Sequence, residues 1–84
     1  MGVARTPGVV FGDRVRELRQ KRGLTQVDLS ERLGQPQSRI SEIESGARAP
    51  NLVTILRLAV ALECKPTALI SVFDTENLRS ILPK

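Results

Sequence analysis

LTQVDLSERLGQPQSRISEIESG, residues 24–46, is the stretch that decides the fold. It reads as two short helices joined by a glycine-containing turn. Thr25 is a good N-cap, and Asp28, three residues on, stabilises the N-terminal dipole as a near relative of the capping box. The first helix is predicted over about 26–33, and Gly34 follows, where a left-handed backbone ends it cheaply. Pro36 suits the first position of the next helix, having no N–H to lose and a preset φ. That helix is predicted over about 36–45, ending at Gly46. Leu29, Leu33, Ile40 and Ile43 are placed to bury one side of the pair, which leaves Gln37, Ser38, Arg39, Ser41 and Glu42 on the other. A short helix with an apolar back and a hydrogen-bonding front is what entry into a DNA major groove requires.

In register, Gly23-Leu24-Thr25-Gln26, Leu29, Leu33-Gly34, Ile40-Ser41, Ile43-Glu44 and Gly46 resemble the helix-turn-helix of the Cro/cI repressor family, also called XRE-type regulators. The likeness continues through Pro50-Asn51-Leu52 and the run LRLAVALE, covering roughly residues 11–73. It implies an all-α, compact five-helix, lambda-repressor-like DNA-binding domain. The organisation expected is a flexible tail over 1–8, a DNA-binding domain over 9–73 with its helix-turn-helix at 25–45, and a C-terminal extension over 74–84. The family's usual pattern assigns base contacts to the first turn of the second helix, here Gln37, Ser38 and Arg39. Ser41 and Glu42, one turn later, are weaker candidates. Gln bonds an adenine edge in bidentate fashion, Arg prefers guanine, and Ser accepts either partner. Thr25 and Gln26 are expected on phosphate, where free N–H groups and the positive dipole end attract an anion. Arg48, in the loop after the reading helix, is a third phosphate contact. The resemblance also implies a structural ion pair between Arg19 and Glu44, tying the first helix to the third.

Three positions depart from the family's pattern. Pro36 replaces the usual Ser or Thr cap and leaves the start of its helix open by a residue. Ser45 stands where a longer polar or basic residue is common, which thins the phosphate contacts. Glu42 stands where many relatives carry a basic or amide residue. A carboxylate near phosphates is repelled unless it accepts from a cytosine amino group or pairs with Arg39 or Arg48, and both readings stay open.

Composition agrees with an anionic partner and excludes other chemistry. Thirteen Lys and Arg against nine Asp and Glu give a net charge of +4 and a pI near 10.2. Two Phe and no Trp or Tyr argue against a stacking platform for single strands. No His and one Cys exclude zinc fingers, imidazole bases and disulfide frameworks, so no metal or cofactor is expected. A chain this small has no room for a ligand domain, so no small-molecule ligand is expected. No uninterrupted apolar run approaches the ~18 residues of a membrane span, and the N-terminus lacks a hydrophobic signal region. A cytoplasmic protein of one small domain is the expectation.

Outside the decisive stretch, Phe11, Val15 and Leu18 follow helical spacing, predicting a first helix from about Val10 or Phe11 to Arg22. Its charged residues Arg14, Arg16, Glu17, Lys21 and Arg22 read as solvated surface, and Arg5 as a solvated leader rather than a groove-tracking arm. Ser30 takes the place of a small packing residue between helices. Asn51 caps a fourth helix over about 52–62, apolar nearly all round. Such a helix needs burial nearly all round, which a chain this small cannot supply alone. Val53, Leu56 and Val60, with Phe73, are therefore expected to face a second copy of the chain. Pro66 opens a fifth helix through about Phe73, and Cys64 reads as a small core residue. Leu78, Ile81 and Leu82 belong either to a short extra helix on the dimer interface or to a loose segment.

The leading expectation is a sequence-specific duplex-DNA-binding transcriptional regulator, repressor, activator or both, acting as a homodimer on an inverted repeat. The alternative is an antitoxin-like interaction module that binds a different protein through its apolar fourth helix and C-terminal tail. An enzyme is not expected.

Overall fold

The computed structural model describes residues 6–74 and 78–83. Five α-helices succeed one another: α1 (Pro7–Lys21), α2 (Gln26–Leu33), α3 (Gln37–Ser45), α4 (Leu52–Ala61) and α5 (Pro66–Ile70). A single 3-10 turn, Arg79–Ile81, follows. There is no strand among the described residues.

The helix starts follow side-chain capping. Thr25 Oγ1 accepts from the Asp28 N–H at 3.0 Å while the Thr25 N–H donates to Asp28 Oδ2 at 2.9 Å, a reciprocal capping box. Asn51 Oδ1 accepts from the Thr54 N–H at 2.8 Å. α1 begins earlier than its apolar spacing predicts, because Thr6 accepts from the Val9 N–H at 3.2 Å and Pro7 supplies a preset first position. Residues 6–8, read as part of the tail, thus cap and open the helix. Arg5 lies outside the described residues. α3 starts one residue later than predicted, with Pro36 as an extended N-cap that offers no side-chain bond. α5 stops at Ile70 rather than near Phe73, since Ser71 and β-branched Val72 are weak continuations of so short a helix. Past it, the segment over 74–84 contributes only the 3-10 turn among its described residues, with Ile81 and Leu82 exposed.

α1 packs across α3, α2 lies against α3 and α4, and α5 closes on α1 and α4. Phe11, Val15, Leu29, Ile40, Ile43, Leu58, Ala59, Leu62 and Leu69 form the buried core, with Leu33, Cys64 and Phe73 half-buried at its margin. Burial pushes the Cys64 thiol up, against the smaller opposing effects of Arg22 and Arg14. Ser30 is buried and its hydroxyl turns inward on its own helix, donating to the Val27 carbonyl at 2.7 Å. Two glycines set the α1–α3 crossing. A Cβ on Gly12 would lie on the carbonyl oxygens of Ile43 and Glu44, and Gly46, with φ 82°, brings its backbone against Val9.

Arg16, Glu17, Lys21 and Arg22 are exposed as their spacing predicts and Arg14 is half-buried, but Arg14 and Arg22 also bond distant backbone. Arg22 donates from Nε to the Leu62 carbonyl at 3.0 Å and from Nη2 to that of Glu63 at 2.6 Å. Arg14 Nε reaches the Ala68 carbonyl at 2.7 Å, and Arg32 of α2 reaches that of Ala61 at 2.8 Å. The last carbonyls of a helix have no intrahelical partner, and cations there also meet the negative dipole end. Arginines distant in sequence thus close the ends of α4 and α5. Glu63 completes the end of α4 in a left-handed conformation, φ 54°, which a non-glycine residue adopts rarely.

Candidate nucleic-acid interface

Glu44 lies buried behind the candidate interface. It is 1% exposed, and Arg19 grips it as a fork, Nε to Oε2 at 2.6 Å and Nη2 to Oε1 at 3.0 Å. Arg16 Nε stands 3.6 Å from the same Oε1. Burial alone would push the Glu44 carboxyl up. The hydrogen bonds from Arg19 and Gln26, with the charges of Arg19 and Arg16, outweigh it and hold the group below the ordinary carboxylate range. The same bond from Glu44 is the main reason that the Arg19 guanidinium is raised further.

From this anchor the order passes outward. Gln26 Nε2 donates to Glu44 Oε1 at 3.1 Å, so the Gln26 amide has one orientation. Its carbonyl oxygen accepts from Gln37 Nε2 at 3.4 Å, at the exposed first turn of α3. The α1–α3 ion pair is thus connected, through Gln26 and one long hydrogen bond, to the side chain at the tip of α3. Gln26 and Gln37, eleven residues apart, meet here.

Ser38 and Ser41 are exposed beside Gln37. Arg39 and Glu42 are half-exposed on the same helix, and Glu42 Oε1 accepts from Arg48 Nε at 3.1 Å while lying 3.8 Å from Arg39 Nε. Ser45 turns back on the helix, its hydroxyl donating to the Glu42 carbonyl at 3.1 Å. The Thr25 hydroxyl oxygen is engaged in the cap of α2, and its backbone N–H holds the Asp28 carboxyl below the ordinary range. Glu44 and the apolar residues Ile40 and Ile43 are buried behind this surface. The result is a polar, donor-rich front on a helix whose back is fixed.

A second surface lies apart from it. Leu52, Val53, Leu56 and Val60 are 68%, 56%, 44% and 79% exposed, giving α4 an unpartnered apolar face. An open hollow there is bounded by Leu33, Ala61, Arg32 and Arg57. Phe73, expected on the same interface, is half-buried against the core. The sequence gives no sign of Arg16 joining the Glu44 cluster, because nothing local brings the two together. No group of His, Cys, Asp and Glu suited to a metal ion occurs among the described residues, and no helix there is long and apolar enough to cross a membrane.

Five helices with α2 and α3 in this arrangement define a helix-turn-helix DNA-binding domain. Residues 15–69 match the helix-turn-helix family model HTH_3. The chain is 35% identical over 65 residues to the uncharacterized HTH-type transcriptional regulator y4dJ of Sinorhizobium fredii, covering 77% of this chain and 84% of that one. Among solved structures, the restriction-modification controller protein C.AhdI from Aeromonas hydrophila superposes with a TM-score of 0.70 at 44% identity, over 73% of this chain and 92% of that one. The clp gene regulator ClgR from C. glutamicum shares the fold, with a TM-score of 0.78 at 18% identity over 95% and 99% of the two chains. The chain belongs to the HTH_3 family of XRE-type helix-turn-helix transcriptional regulators, which bind DNA and are not enzymes.

Proposed function

We propose that the chain acts in the cytoplasm as a homodimer on an inverted-repeat operator, with one α3 in the major groove of each half-site. The observation that carries this reading is the polar front of α3, with Gln37 in contact with Gln26 and Gln26 bonded to the buried Glu44. In this reading Gln37, Ser38 and Arg39 meet base edges, with Ser41 and Glu42 one turn behind. Thr25, Gln26 and Arg48 meet phosphate and set the register of the docked helix. The exposed apolar face of α4, through Val53, Leu56 and Val60, supports pairing of two copies. Burying one Val or Leu side chain contributes roughly 1.5–3 kcal/mol, so a few per copy give a useful association energy.

Regulation then follows from concentration: dimerisation and operator occupancy rise together with the amount of protein. Repression or activation is decided by where the operator lies relative to a promoter. Likeness to a restriction-modification controller protein supports a controlling role for so small a chain, and its own promoter is the target we propose.

Selection of sites from a random duplex library, with the purified full chain at physiological salt, tests the proposal. The expected product is an inverted repeat whose half-sites lie about 34 Å apart, one helical turn. Enrichment of no sequence, or of a lone half-site, would overturn it.

A further inference from the structure

The turn after α3 is built on Glu42. Its carbonyl oxygen accepts from the N–H groups of Ala47 at 3.0 Å and Arg48 at 3.2 Å, which folds the loop back over the end of the helix. Its carboxylate then takes the Arg48 guanidinium at 3.1 Å and has that of Arg39 at 3.8 Å, both on the one oxygen Oε1. Backbone and side chain together bring Arg39, from the first turn of the helix, and Arg48, from the loop beyond it, to a single acceptor. An anionic oxygen between two guanidinium groups is the environment a DNA phosphate oxygen would find there. The carboxylate also leaves this corner with one net positive charge where two arginines alone would carry two.

We infer that Glu42 is a specificity-determining residue, a carboxylate latch that occupies Arg39 and Arg48 in the free protein and is displaced when the duplex docks. The inference rests on α3 being the helix that reads DNA. Displacement gives both arginines to phosphates or bases and leaves a carboxylate facing a polyanion. In the major groove the base-edge donors able to receive it are the amino groups of cytosine and adenine. A duplex that presents one of these opposite Glu42 compensates the lost pair. Other sequences leave the carboxylate desolvated and unpartnered, so the latch subtracts more from non-specific binding than from operator binding.

The test uses the full chain as wild type, Glu42→Gln, Arg48→Ala and the double variant. Each is titrated by fluorescence anisotropy, over a range of salt, against the selected operator and a mixed-sequence duplex. Gln keeps the helix and the size of the side chain, and an unchanged circular dichroism spectrum verifies the fold. Glu42→Gln is expected to bind the mixed duplex about tenfold tighter, with a salt dependence steeper by about one released counterion. It gains less on the operator, so the ratio of the two affinities falls, and repeated selection loses a cytosine or adenine preference at one position per half-site. In the Arg48→Ala background the gain shrinks, because one of the latched cations is gone. Equal gains on both duplexes, or weaker binding by Glu42→Gln, would overturn the latch; the second result would mean that Glu42 holds Arg48 in place on DNA. A wild type that binds DNA without preferring the operator would overturn the sequence-reading role and the latch with it.

Discussion

Glu44 is the buried residue behind the polar front of α3. Its carboxylate is buried and accepts hydrogen bonds from Arg19 and Gln26. Removing one partner of a buried pair leaves the other charge desolvated, so Glu44→Gln should destabilise the domain by about 3 kcal/mol near neutral pH. Because the folded carboxyl titrates below the unfolded one, its contribution is complete above the ordinary carboxylate range. It is lost as pH falls through the lower, folded value. Urea unfolding of wild type and Glu44→Gln at a series of pH values should therefore show two curves that converge in acid. Parallel curves would mean that the pair carries no such linkage. Loss of Glu44 also frees Gln26, and with it the side chain of Gln37 at the tip of α3.

At the scale of elements, the α1–α3 crossing is the tightest constraint. Glycine inside a helix is less favourable than alanine by about 1 kcal/mol, so propensity alone says that Gly12→Ala should stabilise α1. The packing says the reverse, since the new methyl would meet two backbone carbonyls of α3. Backbone cannot yield as a flexible side chain would. Overpacking of this kind costs about 1–3 kcal/mol. A domain of this size loses roughly 4–8 °C of Tm per kcal/mol, which thermal unfolding by circular dichroism resolves easily. A raised Tm would show that α1 and α3 can separate at no cost. The ends of α4 and α5 show the same dependence on distant chain, with carbonyls closed by Arg14, Arg22 and Arg32 instead of by glycine.

Across the whole molecule, polar and apolar surfaces are divided between two helices. α3 offers hydrogen-bonding groups and charge, while α4 offers Leu52, Val53, Leu56 and Val60 to solvent. Val60 is the most exposed of these at 79%, so a change there need not disturb the core. Val60→Glu is expected to leave the helical spectrum intact and to shift the sedimenting species from the dimer to the 9.2 kDa monomer. Operator binding should weaken in parallel, since one half-site contact replaces two. An unchanged sedimenting mass would place the interface elsewhere, with the exposed Ile81 and Leu82 as the next residues to change.

The sequence by itself determined the local signals: Thr25 and Asp28 at one cap, Asn51 at another, Gly34 and Gly46 as stops, and apolar spacing that separates Ile40 and Ile43 from Gln37, Ser38 and Ser41. These depend on neighbours within four residues, so spacing carries them. Even there the cap at Thr6 carries little signal, because the residues after it lack a clear apolar period. Tertiary structure alone decided how the elements meet. It put Gly12 against α3, gave Arg14 and Arg22 the ends of other helices to close, and joined Glu42 to Arg39 and Arg48. It also shortened α5, drew Phe73 against the core and left the face of α4 open. Long-range hydrogen bonds and close backbone contacts depend on crossing geometry, and that geometry exists only when the whole chain has packed.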